Sequence, residues 1–147
     1  MKQIYYEDVE VGTELPALVK ETSVEQSARW AGTNMDYSPY HYNREAAKSL
    51  QLPDIIVNGH LKVTFLAQLV TDWIGGRGVL RRLECQHRGM NIVGETLTCR
   101  GRVVKKSKSG DENTVECEIW IENPEGERGT FGSAIVILPS KGPSPPE

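Results

Sequence analysis

Two periodicities divide the chain. Of the fourteen residues from Leu61 to Ile74, nine are apolar: Leu61, Val63, Phe65, Leu66, Ala67, Leu69, Val70, Trp73 and Ile74. At 100° per residue Thr64, Gln68, Thr71 and Asp72 fall on one narrow stripe, so most of the circumference is apolar. That pattern predicts a buried helix over His60–Ile74, stopped by Gly75-Gly76. From Val79 onward the period becomes two. Leu83, Cys85 and His87 alternate with arginine, glutamate and glutamine. Leu97, Cys99, Gly101 and Val103 alternate with Thr98, Arg100 and Arg102, and Val115, Cys117, Ile119 and Ile121 with acidic residues. These read as half-buried strands. Phe131–Leu138 is more continuously apolar and is expected to lie centrally.

Upstream, Leu15–Glu21 reads as a strand interrupted by Pro16. Thr22 and Ser23 are competing N-caps for a helix Val24–Ala31 that Gly32 would end. Asn43 caps a second short helix, Arg44–Leu50, which Pro53 terminates. The turns Lys108-Ser109-Gly110-Asp111 and Asn123-Pro124-Glu125-Gly126 separate consecutive strands and argue for antiparallel hairpins. One long apolar helix cannot hide alone. The expected fold is α+β, a five-stranded antiparallel sheet curled around that helix. The edges of such an open sheet invite a second copy, so a homodimer or higher homo-oligomer is expected. Residues 1–140 form one domain in this reading, and 141–147 a disordered tail.

Composition narrows the function classes. At 147 residues and 38 % hydrophobic, the chain suits one compact domain. A net charge of −3 argues against nucleic acid as a partner. No apolar run reaches the ~18–20 residues of a membrane helix. The N-terminal residues carry no secretory-signal pattern, so a cytoplasmic location is expected. Cys85, Cys99 and Cys117 show no C-x-x-C spacing and sit in strand-like runs, as small buried hydrophobes do.

Chemistry concentrates in Asp36-Tyr37-Ser38-Pro39-Tyr40-His41, followed eighteen residues after His41 by Gly59 at the mouth of the long helix. A carboxylate and an imidazole on a proline-stiffened loop form an acid/base pair. The N–H groups at a helix start can receive negative charge. Taken singly, such a loop is more often an Asx-turn with an exposed imidazole, and such a glycine more often a plain helix N-cap.

Taken together, these residues resemble a MaoC-type hydratase or dehydratase of the hot-dog superfamily, which includes the (R)-specific enoyl-CoA hydratases. The family's loop reads Asp-x-Asn-Pro-x-His and is followed by a His-Gly at the central helix. Ser23–Gly32 matches its first helix, Gly94-Glu95-Thr96-Leu97 resembles its hairpin entry, and the similarity spans roughly residues 6–139. Here Ser38 replaces the usual Asn, Asn58 the usual His before the glycine, and His60 the usual Met after it. The resemblance implies a hot-dog fold and syn addition of water to trans-2-enoyl-CoA, giving (3R)-3-hydroxyacyl-CoA, or the reverse. Asp36 and His41 would hold the water, and the Gly59 amide would receive the enolate oxygen. No cofactor or metal is implied; the substrate is an acyl-CoA or an acyl carrier protein thioester.

Two other readings share the fold. One is an acyl-CoA thioesterase. The other is a subunit of a hetero-oligomeric hydratase of the steroid side-chain type, a flavour that Val57-Asn58 and Thr71-Asp72-Trp73 carry. His60 could line the pocket or face solvent, Tyr37 and Tyr40 could wall it or pack the loop, and His87 reads as a satisfied sheet histidine. Arg77, Arg81, Arg82 and Arg88 could meet coenzyme A phosphates or cover solvated strand faces.

Overall fold

A computed structural model describes residues 2–142. Its elements run β1 (Leu18–Glu21), α1 (Val24–Asn34), α2 (Arg44–Ser49), α3 (Gly59–Ile74), β2 (Val79–His87), β3 (Thr96–Ser109), β4 (Glu112–Glu122) and β5 (Arg128–Ile137). Short 3-10 turns occupy Tyr6–Asp8 and Pro39–His41. The five strands form one antiparallel sheet in the order β1-β3-β4-β5-β2. This is the α+β hot-dog arrangement expected, a curled sheet packed on a central helix.

Helix α3 buries Leu61, Phe65, Leu66, Leu69, Val70, Trp73 and Ile74 against Leu97, Cys99, Val103, Val115, Cys117, Ile119 and Val136. Thr64, Gln68, Thr71 and Asp72 stay exposed, as the apolar pattern requires. Each fully buried aliphatic side chain contributes ~1.5–3 kcal/mol, so this one helix anchors the core. Burial also pushes the Cys99 and Cys117 thiols up to about 12, which makes them inert packing groups.

Boundaries moved where local chemistry had been ambiguous. Ser23, not Thr22, caps α1: its hydroxyl accepts from the Gln26 N–H at 3.1 Å. The Thr22 hydroxyl instead donates to the Glu95 carbonyl at 2.7 Å. Helix α1 runs through Gly32 to Asn34 and ends on Met35 in the left-handed region, φ 53°. Asn58 rather than Gly59 caps α3, which makes Gly59 its first helical residue. Strand β5 is interior but one place off the middle, which belongs to β4, and it alternates in burial rather than being buried throughout. Strand β2 is a free edge, and its residues are exposed or half-buried. It packs closely on β5 at Gly132, where a Cβ would stand 1.8 Å from the Glu84 carbonyl oxygen.

Within the expected tail, the Lys141 N–H donates to Glu7 at 3.0 Å and its ammonium pairs with Asp8. Residues 143–147 lie outside the described span. Among the described residues no helix is long and apolar enough to cross a membrane.

Candidate active site

The end of α1 aims Asp36. The Met35 turn closes the helix, and the Asp36 N–H donates to the Ala31 carbonyl at 3.0 Å, so the carboxylate leaves a fixed backbone. Pro39 then starts the 3-10 turn that carries His41 into the interior, where it is 7 % exposed. His41 Nδ1 lies 2.9 Å from the Ile56 carbonyl oxygen. A carbonyl only accepts, so Nδ1 holds the hydrogen and Nε2 presents a lone pair when the ring is neutral. That Nε2 faces Asp36 Oδ2 at 3.9 Å, too far for a direct hydrogen bond.

The carbonyl that orients His41 is itself pinned. Val57 N–H donates to the Asn91 carbonyl at 2.8 Å and Val93 N–H to the Ile55 carbonyl at 2.9 Å, which fixes Ile56 against Ile92. Asn58 joins the loop to the helix. Its Nδ2 donates to Asp36 Oδ2 at 2.6 Å, while its Oδ1 accepts the His60 N–H at 2.8 Å. Hydrogen bonds from Ser38 chiefly, then from Asn58, with the nearby His41 adding to them, hold the Asp36 carboxyl below its ordinary range.

Gly59 lies directly beyond Asn58. Among the described residues nothing accepts its N–H, which stands at the positive end of a sixteen-residue helix. Asn58 thus joins Asp36, which faces His41, to the Gly59 end of α3, an Asp36 contact that no local sequence pattern foretells. In the sequence Asn58 stands out as the replacement for the family's His and, with Val57, for its likeness to hetero-oligomeric subunits.

A cleft of about 780 Å³ runs along β2 between His60 and Val63 of α3 and Leu83, Cys85, His87 and Phe131. Asp36, His41 and Gly59 do not line it. Its link to them is His87, whose ring lies on Gly59: a Cβ there would be 3.1 Å from the imidazole. His60 is exposed and lines this cleft. Tyr40 stacks obliquely on His41 with ring centroids 4.5 Å apart, whereas Tyr37 is exposed. Arg81 pairs with Glu112, Arg82 with Glu84, Arg88 donates to Gln86, and the Arg77 guanidinium lies over the Tyr5 ring at 6.0 Å from its centroid, so all four clustered arginines have protein partners.

Sequence reasoning also missed Lys62. It is 2 % exposed in the first turn of α3 and donates to Asn91 Oδ1 at 3.1 Å and to the Gly89 carbonyl at 3.3 Å. Burial lowers its pKa. A polar residue inside an otherwise apolar helical stripe was the available signal. Among the described residues no three His, Cys, Asp or Glu side chains are grouped to hold a metal.

Comparison with known proteins places the fold and the family. Residues 8–122 match the model of the MaoC like domain. The (R)-hydratase PhaJ1 of Pseudomonas aeruginosa superposes with a TM-score of 0.84 at 20% identity, covering 99% of this chain and 96% of that one. The (R)-hydratase of A. caviae involved in PHA biosynthesis gives 0.79 at 22% identity, covering 90% and 99%. The ChsH1-ChsH2 complex of Mycobacterium tuberculosis gives 0.78 at 20% identity, covering 88% and 98%. No curated protein matches. Because the family model spans most of the sequence and the fold is that of the (R)-hydratases, the chain belongs to the MaoC-like dehydratase family.

Proposed function

We propose that the protein is an (R)-specific 2-enoyl-CoA hydratase, adding water syn across trans-2-enoyl-CoA to give (3R)-3-hydroxyacyl-CoA, or running the reverse dehydration. One observation carries this reading. His41 Nε2 and Asp36 Oδ2 are 3.9 Å apart, and the Ile56 carbonyl turns the basic nitrogen of the ring toward the carboxylate. One water oxygen can make a ~2.8 Å hydrogen bond to each, the two meeting at roughly a right angle. Asp36, kept ionised, orients the water. His41 Nε2 takes one of its protons as the oxygen bonds to C3, and charge moves to the thioester oxygen. The imidazolium then returns that proton to C2. Both steps occur from one face, which makes the addition syn. The unpaired Gly59 N–H is suited to the enolate oxygen, a role in which one donor is worth ~3–4 kcal/mol.

Asp36→Asn and His41→Ala are each expected to lower kcat for hydration of crotonyl-CoA by ~10²–10⁴-fold, with native circular dichroism. Activity surviving both substitutions would remove these residues from the mechanism.

A second reading is favoured by the likeness to the ChsH1-ChsH2 complex: the chain works with a different MaoC-like subunit. Purified protein that is inactive alone but gains hydratase activity with the product of a neighbouring gene would establish it. In either reading the free edge of β2 and the cleft beside it are the surface that a partner copy or subunit would cover.

A further inference from the structure

His87 ends strand β2, and its imidazole rests on the start of α3. A Cβ on Gly59 would stand 3.1 Å from both Cδ2 and Nε2 of that ring. Glycine is what lets the ring approach the first amide of the helix so closely. The same ring lines the 780 Å³ cleft, so it borders both the open groove and the Gly59 end of α3.

Thr130 sets its tautomer. His87 Nδ1 is 3.0 Å from Thr130 Oγ1, and Thr130 is completely buried. If Nδ1 carried the hydrogen and donated it, the Thr130 hydroxyl proton would have no acceptor among the described residues. An unpaired buried polar group of that kind costs ~1–3 kcal/mol. The pair is satisfied when Thr130 donates to a bare Nδ1, which leaves the hydrogen of a neutral ring on Nε2. Burial and the neighbouring Lys62 and His60 lower the His87 pKa, which favours that neutral form.

We propose that His87 Nε2–H is a second hydrogen-bond donor to the thioester oxygen, beside the Gly59 amide, in the hydration described above; the inference rests on that reading. The two histidines then have opposite tautomers for opposite tasks. His41 is bonded at Nδ1 to an obligate acceptor and offers a lone pair. His87 is bonded at Nδ1 to a hydroxyl donor and offers an N–H. His87 transfers no proton; it stabilises the oxygen as charge builds, a role open to a neutral imidazole.

Two substitutions separate this role from packing. His87→Phe keeps a ring against Gly59 but removes the donor, whereas His87→Gln keeps a side-chain N–H. His87→Phe is expected to lower kcat on crotonyl-CoA by ~10²–10³-fold, with KM changed by no more than about threefold. His87→Gln is expected to recover most of that loss. Near-normal kcat in His87→Phe, or equal losses in both variants, overturns the inference. Imidazole 15N spectra of the wild type give an independent readout: hydrogen on Nε2 of His87 supports it, and hydrogen on Nδ1 overturns it whatever the activity. A wild type that hydrates no enoyl-CoA would bring down the hydratase reading itself. An inactive His41→Ala beside a fully active His87→Phe would bring down only the role of His87.

Discussion

Asn58 spends both ends of its amide on different neighbours, Asp36 on one side and the His60 N–H on the other. Asn58→Ala therefore has two effects. Loss of the cap costs ~1 kcal/mol, seen as a lower urea midpoint. Loss of a donor also lets the Asp36 pKa rise. In the proposed mechanism Asp36 works as a carboxylate, so the acid limb of the pH–rate profile is expected to move to higher pH, as a pH series of kcat/KM would register. An unmoved limb would mean that Ser38 alone holds the carboxylate. Asp36 and His41 were legible in the sequence because five residues and a proline bring them together locally. The Asn58–Asp36 and His87–Gly59 contacts join residues 22 and 28 positions apart, and no local pattern encodes them. For His87 the alternation of β2 revealed a strand position and nothing of what lay across it.

At the scale of elements, the long helix and the strands after it were readable because their periods, 3.6 and 2, persist over many residues. Their ends were not, since Ser23 against Thr22 and Asn58 against Gly59 are decided by which hydroxyl or amide finds a distant carbonyl or amide. Lys62 is the element-level surprise. It ties α3 to the β2–β3 connection through Gly89 and Asn91, and the Asn91 carbonyl in turn holds the segment that orients His41. Its pKa is depressed on folding, so between the folded value and the unfolded value of ~10.4 the unfolded chain binds more protons, and stability rises with pH. The stability of the wild type relative to Lys62→Met is thus expected to increase from neutral pH toward pH ~10, measured by urea unfolding at each pH. A difference independent of pH would mean that the lysine is not desolvated in solution.

For the whole molecule, the strand order places β2 at an open edge, with the cleft alongside and Val79 and Phe131 exposed nearby. Pattern alone supplied five strands and a helix; the order β1-β3-β4-β5-β2 depends on long-range pairing between β2 and β5, which no hairpin turn announces. If a second copy covers that edge, sedimentation equilibrium is expected to give twice the mass of one chain. Phe131→Lys would then shift the protein toward monomer, whereas a wild type that stays monomeric at micromolar concentration would exclude self-association there. The shared grip of Asn58 has one more outcome. Fraying of the first turn of α3 and loss of the Asn58 tie to Asp36 are coupled, so deuterium uptake at the His60 amide serves as a clock for how often the Asp36 loop loses its link to the helix.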